Sequence, residues 1–386
     1  AAAALCQRLG LPRIIGMLCA GILLGPHVWN LLDTSILSVS ADLRQMALII
    51  ILLKAGLTLD LADLKRVGRP AVLMSFLPAS FEILAFVLFA PFILGLTRPE
   101  AAVMGAVLGA VSPAVVIPRM VRFLEEKWGT DRGIPQLIMA GASCDDVFVI
   151  VLFSTFVTVA QGGSAHLMDF VNIPVSILLG VALGGLAGWG MALLFETAHS
   201  RGQTIRNSVK VILILGVAFL LMAVETYLKG RLPLSGLLAV VSMACVLRRK
   251  SPARVTGRLS EKFGKLWLCA EVLLFVLVGA AVDIRYTLNA GPKAVGMIFL
   301  ALAVRSVGVA LCLIGTELNF KERLFCVIAY LPKATVQTAI GSVPLALGLP
   351  CGQMVLSVAV LAILITAPLG AIGMDWSYRH LLKQEK

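Results

Sequence analysis

Charge is scarce in this chain. Only 14% of its 386 residues are Asp, Glu, Lys or Arg, 59% are hydrophobic, and the mean hydropathy is +0.96. That balance excludes a soluble domain of this size, which needs a charged surface to stay in water. Histidine is scarcer still: there are four, with no His-x-x-x-His pair on a helical segment. The eight cysteines lie mostly in or beside apolar runs and form no Cys-x-x-Cys pair, which argues against disulfides and zinc sites alike. Segments of alternating polarity, the mark of a membrane barrel, are missing. So is a secretory leader: Ala1–Arg8 reads as the tail of a preceding helix. Nothing resembles the carbonyl-ring filter of a channel.

What the chain does have is long apolar runs. A bilayer-crossing helix needs roughly 20 mostly apolar residues, and a window of that size finds about twelve. They fall near Ile14–Val28, Ala41–Leu61, Ala71–Leu96, Ala101–Met120, Ile134–Val159, Val171–Phe195, Val209–Tyr227, Pro233–Leu247, Leu266–Leu288, Ala294–Gly315, Leu324–Leu347 and Gln353–Trp376. The expected fold class is an all-α polytopic membrane protein, with a thirteenth span expected in the full chain ahead of Ala1.

The net charge of +12 would suit nucleic acid, but its distribution does not. The N-terminal flank, alternate loops and the C-terminus hold 24 of the 33 Lys and Arg; the intervening loops hold Arg98, Lys229, Arg231, Arg285 and Lys293. By the positive-inside rule the richer side is cytoplasmic, and with it the C-terminus, in an inner membrane. The basic stretch Arg248–Lys265 is then a cytoplasmic loop suited to anionic lipid.

Two adjacent carboxylates, Asp145 and Asp146 in GASCDDVFVIVLF, stand in the middle of the fifth span. Ionisable groups at that depth cost several kcal/mol and mark an ion or proton path. Side by side they cannot both stay charged without a cation nearby. The bland alternative is a structural pair neutralised by fixed basic groups.

Two spans carry prolines that a continuous helix would not hold. GAVSPAVVIPRM has Pro113 and Pro118 around Ser112; LPKATVQTAIGSVP has Pro332 and Pro344 around Lys333, Thr335 and Gln337. Each alone reads as a proline kink. Paired, they point to two broken helices crossing at a midplane transport site. They lie seven spans apart, an odd offset, so spans 3–5 and 10–12 read as inverted-topology repeats. In span 6, Gly180, Gly184 and Gly188 form a stripe for close helix packing.

The core also contains Glu82, Arg305 and Lys333, so three carboxylates face two cations and one negative charge is left for a monovalent ion or proton. Neighbouring helical residues point about 100° apart. One aspartate therefore engages a fixed cation while the other faces the cavity. Arg305 never loses its proton and suits Glu82, whereas Lys333 titrates more readily. Lys54 snorkels at a span end, and Glu271 reads as an interfacial carboxylate.

These motifs, with GMLCAGILLGP at Gly16–Pro26, resemble the cation/proton antiporter superfamily and within it the NHA-type sodium/proton exchangers. The resemblance implies a homodimer working by an elevator movement. Residues 1–69 and 201–290 would supply dimerisation-domain helices, 161–200 a linker helix, and 70–160 and 291–386 the two halves of a core transport domain. It implies no cofactor and no enzymatic activity. Asp146 would be the main binder of Na⁺ or Li⁺ and of the proton, with Asp145 beside it and oxygens from Ser112 and Thr335. Electrogenic bacterial members carry a lysine where this chain has Arg305, so a single-proton cycle is expected and Lys333 becomes the expected partner of Asp145. Alternatives are a K⁺/H⁺ exchanger, a sodium-coupled organic-anion carrier, or an intramembrane aspartyl protease. The protease would place its aspartates on separate helices.

Overall fold

The computed structural model describes residues 2–8, 11–58, 68–161, 167–201, 205–228, 232 and 234–385. Ala1, the end of the second expected span at Leu61, and Lys229 and Arg231 lie outside the described residues. Among the described residues the structure is helical throughout, with one isolated bridge between Trp128 and Gln384 and no strand. In order the helices are α1 (Ala2–Arg8), α2 (Arg13–Leu24), α3 (Thr34–Ser38), α4 (Ser40–Thr58), α5 (Arg69–Met74), α6 (Leu77–Leu94), α7 (Arg98–Gly109), α8 (Pro113–Glu125), α9 (Ile134–Ala160), α10 (Leu167–Ser200), α11 (Asn207–Leu228), α12 (Gly236–Lys250), α13 (Ala253–Ala280), α14 (Ile284–Cys312), α15 (Phe320–Ala329), α16 (Thr335–Gly341), α17 (Val343–Ala346) and α18 (Gly352–Leu381).

Eight described stretches are long and apolar enough to cross a membrane: Arg69–Leu94, Arg98–Glu125, Ile134–Ala160, Leu178–Ala198, Asn207–Leu228, Arg254–Ala280, Gly291–Cys312 and Gly352–Leu381. The other expected spans fall on helices that are short (α2, α12), carry buried or half-buried charge (α4, with Arg44 and Lys54) or are broken (α15 to α17). Phe92, Leu186, Ile212 and Leu220 all point outward, as side chains that meet lipid rather than water do.

The chain forms two compact units. One comprises Ala1–Ala41, Asp60–Gln161 and Phe275–Lys386; the other comprises Asp42–Leu59 and Gly162–Leu274. In the second unit α10 lies against α12: Gly180, Gly184 and Gly188 meet Ser235, Ala239 and Met243 so closely that an added Cβ would strike backbone. The stripe is packing. Lys54 lies 5.8 Å from the ring centre of Trp267, with Glu271 close enough to attract it. The stretch Arg248–Lys265 is helix rather than loop, interrupted only at Ser251–Pro252. Its charges continue the helical pattern, and Lys265 pairs with Glu261 one turn earlier at 2.8 Å.

In the first unit, proline chemistry sets the two breaks. Pro113 disfavours the helical region for the residue before it, and Ser112 is extended (φ −90°, ψ 108°). Helix α7 therefore stops at Gly109, and Pro113, whose missing N–H costs nothing in a first turn, opens α8. Pro118 sits inside α8 and ends nothing. In the second break α15 begins at a reciprocal Asn319–Glu322 capping box and ends at Ala329. Leu331 to Ala334 are non-helical, and α16 starts at Thr335. Pro344 lies in the first turn of α17, where proline is tolerated, so the interruption centres on Pro332. At one end of this unit Arg119 and Arg122 of α8 pair with Asp375 of α18 (3.0 and 3.3 Å).

Candidate functional site

The two breaks meet. Ser112 N donates to Pro332 O at 2.8 Å, which joins the extended segments directly. Ending α7 at Gly109 leaves its last carbonyls without helical partners, at the negative end of the helix dipole. Each of three consecutive carbonyls receives a side chain from elsewhere in the unit. Lys333 Nζ donates to Leu108 O at 2.5 Å, Arg305 Nη1 donates to Gly109 O, and Gln337 Nε2 donates to Ala110 O at 2.7 Å. Gln337 also accepts from Ala334 N at 2.8 Å through Oε1, which caps the start of α16. Lys333 N donates to Thr366 Oγ1 of α18 at 3.0 Å.

On this backbone cross sits a fully buried network of four charges. Arg305 Nη1 donates to Glu82 Oε2 (2.8 Å) and Nη2 to Asp145 Oδ2 (3.1 Å). Its Nε donates to Tyr330 O at 3.0 Å. Lys333 Nζ donates to the same Glu82 oxygen at 2.7 Å. Val111 N, freed by the first break, donates to Asp145 Oδ2 at 2.8 Å. Glu82, Asp145, Arg305 and Lys333 are each no more than 1% exposed. Charges taken this far from water persist only when paired and hydrogen-bonded; two carboxylates and two cations satisfy one another here.

This corrects one expectation. Lys333 does not partner Asp145; it partners Glu82, and Arg305 bridges Glu82 to Asp145. The reason is reach: Leu108 O and Glu82 together hold the ammonium, while the two-pronged guanidinium serves two carboxylates at once.

Asp146 stands apart. It is nearly buried, at 9% exposure, and among the described residues it makes no hydrogen bond or ion pair; its Oδ1 is sealed without a partner. Helical geometry explains the asymmetry, since turning Asp145 toward Arg305 turns its neighbour about 100° away. Ser112 Oγ and Asp145 Oδ1 are likewise buried without partners. Buried oxygens left unpaired are uncommon and call for a cause. Thr335 is buried in the first turn of α16. No hydrogen bond among the described residues joins Asp146 to Ser112 or Thr335. Among those residues no three His, Cys, Asp or Glu side chains converge as a resident metal site would require.

Sequence reasoning missed Thr366 and Tyr330. The signals were faint: a lone hydroxyl in LAILITAPLG, and the aromatic residue just ahead of LPK.

Comparison with known proteins agrees with this architecture. A family model described as "Sodium/hydrogen exchanger, transmembrane" matches residues 1–376. The chain is 33% identical over 385 residues to sodium/hydrogen exchanger 9B2 of Homo sapiens, covering 94% of this chain and 68% of that protein. It is 32% identical over 389 residues to sodium/hydrogen exchanger 9B1 of the same species, with 94% and 71% covered. The structure of the sodium proton antiporter MjNhaP1 from Methanocaldococcus jannaschii at pH 8 superposes with a TM-score of 0.82, at 23% identity, over 98% of this chain and 95% of the other, which is a likeness of fold. A membrane-embedded helical chain with this match over nearly its whole length is a transporter and not an enzyme: it belongs to the sodium/hydrogen exchanger family, as a cation/proton antiporter of the NHA type.

Proposed function

We propose that this protein exchanges Na⁺ or Li⁺ for H⁺ at Asp146, which binds cation and proton in competition. The observation that carries the reading is a contrast. Four buried charges are paired with one another, whereas Asp146 is buried beside them with no hydrogen bond or ion pair among the described residues. A carboxylate in that position is stable when protonated or when it holds a cation, and costly when bare. Hard oxygen ligands suit small alkali cations. Asp145, Ser112 and Thr335 would supply further oxygens, with carbonyls freed at the breaks.

On this reading only an occupied or protonated site crosses the membrane, and alternating exposure converts competition into exchange. The cargo ion is substrate, and no cofactor is involved. Residues 70–160 and 291–386, read as inverted repeats within a membrane protein of about twelve spans, form the moving transport domain. Residues 1–69 and 201–290 form the dimerisation domain of a homodimer, joined to the transport domain through 161–200. The support is the resemblance of sequence motifs and the pair of breaks on α7–α8 and α15–α16. The charge distribution supports a cytoplasmic C-terminus in an inner membrane, with Arg248–Lys265 facing anionic lipid.

Purified protein in proteoliposomes, loaded with a pH-sensitive dye, tests this. Addition of Na⁺ or Li⁺ should move protons outward in wild type and not in Asp146→Asn. Equal proton movement in the two proteins would remove the assignment. Movement driven only by K⁺ would redirect it to the K⁺/H⁺ alternative.

A further inference from the structure

Helix α18 carries a hydroxyl that the proposed exchange mechanism leaves unused. A hydroxyl inside a helix commonly turns back to the carbonyl one turn earlier, as Ser75, Ser80, Thr155 and Ser306 do elsewhere in this unit. Thr366 is 1% exposed and, among the described residues, makes no such bond. Its Oγ1 accepts instead from Lys333 N at 3.0 Å, outside its own helix. The donors of the second break show what that bond is for. Leu331 N goes to Ile328 O at 3.3 Å, Pro332 has no N–H, and Ala334 N goes to Gln337 Oε1 at 2.8 Å. Ile328 and Gln337 belong to the broken span itself. Thr366 is the acceptor that ties the backbone donors of the break to another helix.

One turn further along the same face of α18, Gly370 lies against the Pro332 ring, so close that an added Cβ would overlap Pro332 Cγ. Thr366 and Gly370 thus form a notch, with a hydroxyl for Lys333 N and a gap for the ring before it. Two of the oxygens assigned to the exchange site depend on the segment so held. Pro332 O accepts from Ser112 N at 2.8 Å, and Thr335 opens α16 two residues after Lys333. Helix α18 is in turn fixed to the end of α8. Asp375 pairs with Arg119 and Arg122, and the Tyr378 ring stacks on Phe123 with centroids 4.7 Å apart. Asp375 lies about 14 Å along the helix from Thr366, at 1.5 Å per residue. Both broken spans therefore take their position from one helix.

We propose that Thr366 is a positioning residue that sets the cation selectivity of the exchange site, by holding the second break where Ser112 and Thr335 present their oxygens at the spacing a small cation needs. The inference rests on the reading of Asp146 as the exchanging carboxylate with Ser112 and Thr335 beside it. Oxygen cages discriminate among cations by their size and by how far their ligands can move. A smaller ion needs closer oxygens. Releasing Lys333 N from Thr366 loosens the cage, which weakens Li⁺ binding most and Na⁺ binding less.

The test measures proton flux in proteoliposomes at one fixed pH against rising Li⁺ and Na⁺, for wild type, Thr366→Val and Thr366→Ser. Valine keeps the shape and removes the acceptor. It should raise the KM for Li⁺ about tenfold, the factor that one buried hydrogen bond carries into an equilibrium constant, and the KM for Na⁺ by less. The maximal rate should change less than either KM. Serine, which restores the acceptor, should keep both constants at their wild-type values. KM values unmoved in Thr366→Val, or raised by one common factor for both ions, overturn the inference, and so does a serine variant that behaves as valine does. Should the valine variant not fold, Thr366→Cys, of similar size and a weak acceptor, is read by the same criteria. A wild type without Li⁺- or Na⁺-driven flux, or an active Asp146→Asn variant, would instead bring down the exchange site itself and this inference with it.

Discussion

Lys333 Nζ lies 2.7 Å from Glu82 Oε2, each side chain sealed from solvent, and this pair joins the second break to the first turns of α6. The lysine that interrupts α15–α16 is thereby committed to a carboxylate other than the aspartate pair. Its ammonium also bonds Leu108 O, one of the buried carbonyls left unpaired where α7 ends. One residue holds together three elements that the chain order keeps far apart.

Removing one member of that pair should unfold the core more readily than removing both. Lys333→Met leaves Glu82 and Asp145 to share Arg305, one buried carboxylate in excess, and Glu82→Gln leaves Lys333 without a carboxylate; losing one member of a buried pair typically costs about 3–5 kcal/mol. The double variant should recover much of the loss, because no unpaired ion remains. Thermal unfolding in detergent measures this, and additive losses in the double variant would argue against direct pairing.

Gln337→Leu should lower stability by about 1–3 kcal/mol, since it leaves both Ala110 O and Ala334 N buried without partners. The side chain bridges the two breaks, so a loss of exchange is expected alongside the loss of melting temperature. Gln337→Glu, which keeps the acceptor for Ala334 N, should be milder when protonated at low pH. A melting temperature within error of wild type for Gln337→Leu would show that the bridge contributes little.

If Asp146 alone alternates between cation and proton, the two compete for one carboxylate. Lowering the pH should then raise the apparent KM for Na⁺, by about tenfold per pH unit once protons dominate. The sign follows from occupancy: below the titration range of the carboxylate the proton holds the site, above it the cation does. Steady-state flux at several Na⁺ concentrations measures this. A KM independent of pH, with only the maximal rate changing, would show that proton and cation use different groups.

Exchange should be electroneutral. Glu82, Asp145, Arg305 and Lys333 form a balanced set when all are ionised, so one proton replaces one monovalent cation and no net charge moves. Turnover should be the same at zero potential and with the liposome clamped inside-negative. A transient current on Na⁺ addition, reversing with the gradient, would show that a second proton is carried, with Lys333 as its bearer.

Much of this protein follows from residue order. Apolar run length dictates a helical membrane chain, because backbone groups in lipid have no partners except one another. Pro113 and Pro332 dictate where helices stop, since proline restricts its neighbour and lacks a donor whatever surrounds it. The composition of the core, three carboxylates against two cations, was countable in the sequence alone. Pairing was not. Glu82, Asp145, Arg305 and Lys333 are separated by 160 to 251 positions where they touch, and which cation meets which carboxylate depends on the rotation of α6, α9 and α14 about their axes. Helical periodicity says that Asp145 and Asp146 diverge, but only packing selects the one that turns to Arg305. The close fit of Tyr330 on Gly141, whose missing Cβ leaves room for the Tyr330 hydroxyl, is of the same kind: nothing in either segment announces it, because it exists only once two distant parts of the chain are brought into contact.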